Sequence, residues 1–195
     1  MPRPLRIRTS PILRSLAFPI VMLGLGTACG ALDEFEETIV DQTSIPGGNM
    51  QISGPFSPQF MGGFNGVDLS KSRGFQNNDV SPNDVDAIFV KAIRVEIATG
   101  SQNATLDRLD NFIERLELWV ETNEQDRATL AVQESFPMTR TIDLTVDKSL
   151  NLKPYATSPA MTIGADLRLA EDRPPFNATM TTSITLLVDI NFFGT

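Results

Sequence analysis

The chain has no histidine and a single cysteine among its 195 residues. A Cys/His zinc site, a Ser–His–Asp triad and a Cys–His pair are therefore excluded. General acid–base chemistry would fall to carboxylates, lysine or tyrosine. Basic charge is also short. Sixteen Lys and Arg against 24 Asp and Glu leave a net charge of −8, which argues against the phosphate neutralisation that nucleic-acid binding rests on. Tryptophan and tyrosine occur once each, whereas membrane β-barrels carry girdles of both. An outer-membrane barrel is thus not expected, although the last apolar segment ends in Phe192-Phe193. No Gly-x-Ser-x-Gly elbow, Ser-x-x-Lys pair or phosphate-cradling glycine loop occurs.

Long apolar runs are missing too. The first apolar stretch, Leu16 to Ala28, has 13 residues and contains Pro19, Gly24 and Gly26, where a spanning helix needs about 20. Before it stand Arg3, Arg6, Arg8 and Arg14 without an acidic residue. A basic start, a short apolar centre and a small-residue exit predict a secretory signal peptide over residues 1–28.

The exit reads Gly26-Thr27-Ala28-Cys29-Gly30, and Cys29 is the sole cysteine. This resembles the lipobox of bacterial lipoprotein precursors, with Gly26 where the family usually has a leucine-like residue. The resemblance implies a covalent diacylglycerol on Cys29, cleavage before it, and a mature protein held to the membrane by its acyl chains. Gly30 in place of aspartate implies the outer membrane of a Gram-negative cell envelope; a plasma-membrane or secreted location is the alternative. Cleavage would remove all four leader arginines and none of the acids. The acidic body would be repelled by anionic headgroups, leaving the lipid as the membrane contact.

Residues 29–33 read as a linker and 34–195 as one domain. Phe35 to Ile45 suits a first strand, ended by Pro46-Gly47-Gly48. A turn-rich loop, 46–84, follows, carrying Phe56, Phe60, Met61 and Phe64. These aromatics either drape over the core or form an apolar contact patch for a partner. From residue 85 onward a two-residue period dominates. Ile93, Val95 and Ile97 alternate with polar neighbours, as do Ile142, Leu144 and Val146. Met161 to Leu169 and Met180 to Phe192 repeat the pattern, and a shorter strand is expected at Ala128 to Val132. Such alternation predicts strands with one buried face. Segment 104–122 fits two readings: a helical turn at about 104–111 with a strand at 113–122, which the flanking strands favour, or a single helix.

Seven or eight close-spaced strands without βαβ alternation predict an all-β fold, an antiparallel β-sandwich. Leu152-Lys153-Pro154-Tyr155 suits the crossing between sheets, and Tyr155 resembles the tyrosine corner of Greek-key sandwiches. The layout of residues 33–193 resembles small immunoglobulin-like envelope lipoproteins, most without an assigned activity.

Site chemistry is sparse. Asn77, Asp79, Asn83, Asp84 and Asp86 offer oxygens to calcium but lack the EF-hand order. They equally suit a turn in which Asn and Asp cap backbone groups. Glu114, Glu117 and Glu121 read as a solvated face. Asp166 with Arg168, and Asp143 beside Arg140, read as surface pairs. Asn103 and Asn177 match the glycan acceptor pattern, for which a bacterial lipoprotein gives no expectation. Trp119, outward if Leu116, Leu118 and Val120 face in, is either a contact anchor or covered by a loop. The expectation is a non-enzymatic binding or structural module, tethered at Cys29, that engages another envelope protein or a surface target. The alternatives are a carrier of a lipid or other apolar ligand between the sheets and, third, a hydrolase built on a carboxylate dyad.

Overall fold

In the computed structural model, the structure describes residues 34–48, 64, 66–100, 105–158 and 161–190. The leader, Cys29, Phe56, Phe60 and the Phe192-Phe193 pair lie outside these residues. Seven strands are described: β1 (Glu34–Ile45), β2 (Val85–Ala98), β3 (Ile113–Glu121), β4 (Ala128–Gln133), β5 (Thr141–Leu144), β6 (Thr162–Leu169) and β7 (Ala178–Ile190). Two short helices, α1 (Arg73–Asn78) and α2 (Lys153–Ala156), sit in connections. The strands form an antiparallel sandwich, with order β1-β7-β2-β5 in one sheet and β4-β3-β6 in the other. None of the described helices is long and apolar enough to cross a membrane.

β7 shows why the alternation works. Ala178, Met180, Thr182, Ile184, Leu186, Val188 and Ile190 are buried, while Thr179, Thr181, Ser183, Thr185, Leu187 and Asp189 lie on the other face. The strand pairs along its whole length with β1, and with β2 on its other side. At Ile184 the inward row runs Ile39–Ile184–Ile93 across three strands. Each such aliphatic side chain contributes about 1.5–3 kcal/mol on burial. β3 supplies the facing layer, with Leu116, Leu118 and Val120 fully buried.

The wrapping differs from the immunoglobulin-like arrangement. An immunoglobulin constant domain places strands A, B, E and D together, so its first two strands are neighbours. Here β7 lies between β1 and β2. Of the described strands, β1, β2, β5 and β7 belong to one sheet and β3, β4 and β6 to the other, so the chain crosses after β2, β4, β5 and β6. This is the winding of a jelly roll. The physical reason is that alternation reports which face is buried and is silent on which strand lies beside which.

Within the ambiguous segment, residues 105–122 form a turn and a strand. A 3-10 turn at Leu109–Asn111 leads directly into β3. Asn111 Nδ2 donates to the Thr105 carbonyl at 3.0 Å and to the Leu106 carbonyl at 3.3 Å, holding the turn. Asp107 ties this segment to the end of β2. Its buried carboxylate accepts the Thr99 N–H at 2.8 Å and the Thr99 hydroxyl. These bonds, first the hydroxyl and then the N–H, hold its pKa below the ordinary aspartate value. A depressed folded-state pKa means the stabilisation is present above the unfolded value and is lost as pH falls through the folded one. Asp107→Ala is therefore expected to cost about 1–3 kcal/mol at pH 7. The gap from the parent should narrow below about pH 4 in urea titrations; a gap constant from pH 7 to pH 3 would refute the account.

α2 lies on the crossing from β5 to β6, where Leu152–Tyr155 was expected to serve. The Tyr155 hydroxyl donates to the Asp126 carbonyl at 3.0 Å. A tyrosine corner bonds a few residues upstream, whereas this bond spans 29 residues and pins the β3–β4 turn instead. On the opposite sheet, the buried Glu37 carboxylate of β1 accepts the Gly74 N–H in the first turn of α1, and Phe35 meets Phe75 edge-on at 5.1 Å. These contacts fasten α1 to β1.

Candidate functional site

The outer face of the four-stranded sheet carries a groove where β5 parts from β2. β5 pairs with β2 only from Ile93 to Glu96. Past Leu144 the chain leaves this sheet, and Val146 bridges to Ala131 of β4. It turns at Asp147, which accepts the Ser149 N–H at 2.8 Å, and returns at Asn151 opposite Phe89. There Asn151 Oδ1 accepts the Ile88 N–H at 3.1 Å, and the Leu152 N–H donates to the Ile88 carbonyl at 2.7 Å. Between these two attachments lies a groove of about 590 Å³, lined by Lys91, Arg94, Asp143, Lys148, Ser183 and Thr185 among others. A second hollow of about 290 Å³ shares Lys91 and Lys148 and adds Phe89 and Leu187.

A bulge in β2 shapes the groove. The register against β7 shifts between Val90 and Ala92, and both Lys91 and Ala92 are exposed. An inserted residue re-aims a side chain in this way. Lys91 pairs with Glu36 of β1, whose register partner on β7 is Leu187, so the pair crosses the middle strand. Arg94 and Asp143 are register partners and bond in a fork, Nε to Oδ1 at 2.7 Å and the second nitrogen to Oδ2 at 3.0 Å. That hydrogen bonding holds Asp143 below the ordinary carboxylate range and raises Arg94. Lys148 is exposed on the wall and has no carboxylate partner among the described residues. The Thr185 hydroxyl, on the floor, shares a hydrogen bond with the Thr38 hydroxyl at 3.1 Å. The groove thus offers fixed donors and acceptors with nearly balanced charge.

None of these groove residues was singled out as a ligand site from sequence, and Asp143 was paired with Arg140. Arg140 instead bonds Glu96 at 2.8 Å. Likewise Asp166 pairs with Arg127, and Arg168 pairs with Glu114 at 2.6 Å. These partners face each other between strands or from a turn, so neighbours in sequence could not identify them. One sequence signal for the groove does exist. Val90 and Ile93 are three apart where the β2 alternation demands two, the mark of a bulge.

Of the candidate contact aromatics, Phe64 and Trp119 are described, and both take the buried one of their two readings. Phe64 is 1% exposed and belongs to the core, so it presents nothing to a partner. Trp119 lies on the outer face of its sheet, as its position between Leu118 and Val120 implied, yet is only 5% exposed. Its ring seats over Gly164, its register partner on β6, and the Arg127 guanidinium lies 4.2 Å from the ring centre. Arg127 is itself held by Asp166 and lies 3.7 Å from Glu117, and Glu117 also meets Arg115 at 2.9 Å. The cover the structure describes is therefore this ion-paired arginine at the end of the β3–β4 connection; the Phe56 and Phe60 stretch lies outside the described residues. The Trp119 indole N–H has no hydrogen-bond partner among the described residues.

The calcium candidates serve the backbone in part. Asn77 lies within α1, and Asp79 ends it at φ 53° in the left-handed region. The Asp84 carboxylate accepts the Ser81 N–H at 3.3 Å, the Asn83 N–H donates to the Ser81 hydroxyl at 3.2 Å, and Asp86 is exposed on β2. Among the described residues no group of three or more His, Cys, Asp or Glu is placed to hold a metal. Asn177, the acceptor-pattern residue within the described part, accepts the Gly47 N–H at 3.1 Å.

Fold and site together define the class: an antiparallel β-sandwich with jelly-roll winding and a groove of mixed polar and apolar lining on the open face of its larger sheet. No protein family matches the chain, and no curated protein matches it. Among solved structures it is similar to a chain of turnip yellow mosaic virus, with 9% identity and a TM-score of 0.31 over 97% of this chain and 92% of that one. A chain of desmodium yellow mottle tymovirus gives 11% identity and a TM-score of 0.23 over 100% and 97%. Likeness at that level carries nothing about function to this chain.

Proposed function

We propose that the protein is an envelope lipoprotein, tethered by a diacylglycerol on Cys29, whose β-sandwich is a non-enzymatic binding module. The observation that carries this reading is the order of the N-terminal features. Four arginines precede 13 apolar residues, and the chain's sole cysteine follows a small-residue exit. A lone thiol in an exported protein is a liability unless modified or paired. The domain adds support through its carboxylates, many of which are engaged in structure: Glu37 at α1, Asp107 at Thr99, Asp143 at Arg94 and Asp166 at Arg127. Groups spent in this way are poorly suited to a proton-transferring dyad, whose members need free geometry and separated pKa values.

Mass spectrometry of the protein extracted from membranes tests the reading. The expected product starts at Cys29 and carries the mass of a diacylglyceryl group. Cys29→Ser should abolish the adduct and move the protein out of the membrane fraction, because stable attachment rests on the acyl chains. An unmodified 21.4 kDa chain in the soluble fraction would overturn it.

A further inference from the structure

Resting on the binding-module reading but independent of the anchor, we propose that the groove beside β2 is a saccharide site, taking a short oligosaccharide with one acidic group. Size is the first argument. The groove's volume of about 590 Å³ falls in the range of ligand sites, and a hollow of about 290 Å³ that shares Lys91 and Lys148 adjoins it.

Charge balance is the second. Lys91 is compensated by Glu36 and Arg94 by Asp143, so a multiply charged anion would meet no excess of cations. Among the described residues that line the groove, Lys148 is the cation without a carboxylate partner, which matches a single carboxylate on the ligand.

The third argument is hydrogen-bonding type. A sugar hydroxyl donates and accepts at once, and neighbouring hydroxyls need a donor and an acceptor side by side. Arg94 and Asp143 present that pair at fixed spacing. Arg94 uses two of its five N–H donors on Asp143, and each Asp143 oxygen keeps a free lone pair. Ser183 and Thr185 add hydroxyls on the floor, while the half-buried Phe89 and Leu187 offer a surface to the C–H face of a ring.

Other occupants fit less well. The edge of β2 left open between its attachments to Asn151 and Leu144 spans only residues 90–92, too short for strand addition by a peptide. A bare acyl chain could use the apolar part of the lining but would leave the Arg94–Asp143 fork and Lys148 without a polar partner on the ligand.

The test uses the full chain extracted in an amine-oxide detergent, which contains no sugar. The probes are 3′-sialyllactose and aldotriuronic acid, with lactose and xylobiose as neutral counterparts, followed by saturation-transfer NMR and calorimetry. At least one acidic probe is expected to bind with a Kd below about 1 mM, about tenfold tighter than its neutral counterpart. Lys148→Ala should erase that tenfold preference and leave neutral-sugar binding unchanged. Asp143→Ala should abolish binding of both, with circular dichroism confirming the fold. No saturation transfer to any of the four sugars at about 10 mM overturns the proposal, as does binding that Lys148→Ala and Asp143→Ala leave untouched. The Cys29 adduct is read on the same sample by mass, so an anchored protein that ignores sugars refutes the saccharide site alone.

Discussion

Gly164→Ala is expected to destabilise the domain by about 1–3 kcal/mol and to shift its tryptophan emission to the red. A Cβ at residue 164 would fall on the Cζ2, Cη2 and Cε2 atoms of Trp119. The ring cannot slide sideways at low cost, because Arg127 lies over it and is tied to Asp166. In a strand interior alanine is intrinsically preferred to glycine by roughly 0.5–1 kcal/mol, so the steric term must exceed that gain for the variant to lose stability. The fluorescence is unambiguous because the chain has one tryptophan, 5% exposed. Urea unfolding and an emission spectrum of the native state check both parts. A variant as stable as the parent, with unshifted emission, would show that the ring is free to relocate.

Phe112→Ala is expected to cost about 3–5 kcal/mol, a large fraction of the roughly 5–15 kcal/mol that holds a domain of this size. Phe112 is fully buried at the joint between the 3-10 turn and β3. Its N–H donates to the Leu109 carbonyl at 3.0 Å, and its carbonyl accepts the Ala170 N–H at 3.0 Å. Its ring stands 6.4 Å from that of Phe176, which approaches from the β6–β7 connection. Truncation leaves a void under three segments already fixed by backbone bonds, so collapse around it is poor. The urea midpoint should fall with its slope unchanged, and Phe112→Leu should restore most of the loss. Equal damage from leucine and alanine would mean that ring contacts, not filled volume, matter at this joint.

Much of the architecture was legible in the chain because side-chain direction in a strand has a period of two. Leu116, Leu118 and Val120 declared the inward face of β3, and thereby the outward setting of Trp119. The same rule predicted the strand at 161–169, and β-rich stretches bounded by turn residues predicted those at 35–45 and 128–132, all close to their observed bounds. Pro154 at the start of α2 marked the crossing between the sheets.

What alternation leaves unsaid is identity of partners. β7 lies between β1 and β2, Asp143 meets Arg94 rather than Arg140, and Arg127 from the β3–β4 connection roofs Trp119. Phe64 illustrates the same limit, since an aromatic in a turn-rich stretch reads equally as patch or core until its 1% exposure is known. The groove follows the same logic. Its walls come from Lys91, Asp143, Lys148 and Thr185, far apart in the chain and joined by strand register. Composition and local period therefore establish strand content, buried faces, the lack of histidine chemistry and the expectation of a lipid at Cys29, because each depends on residues within a few positions of one another. Winding, ion-pair partners and the groove depend on pairings between distant strands, whose energies are comparable among many registers until the whole core is packed.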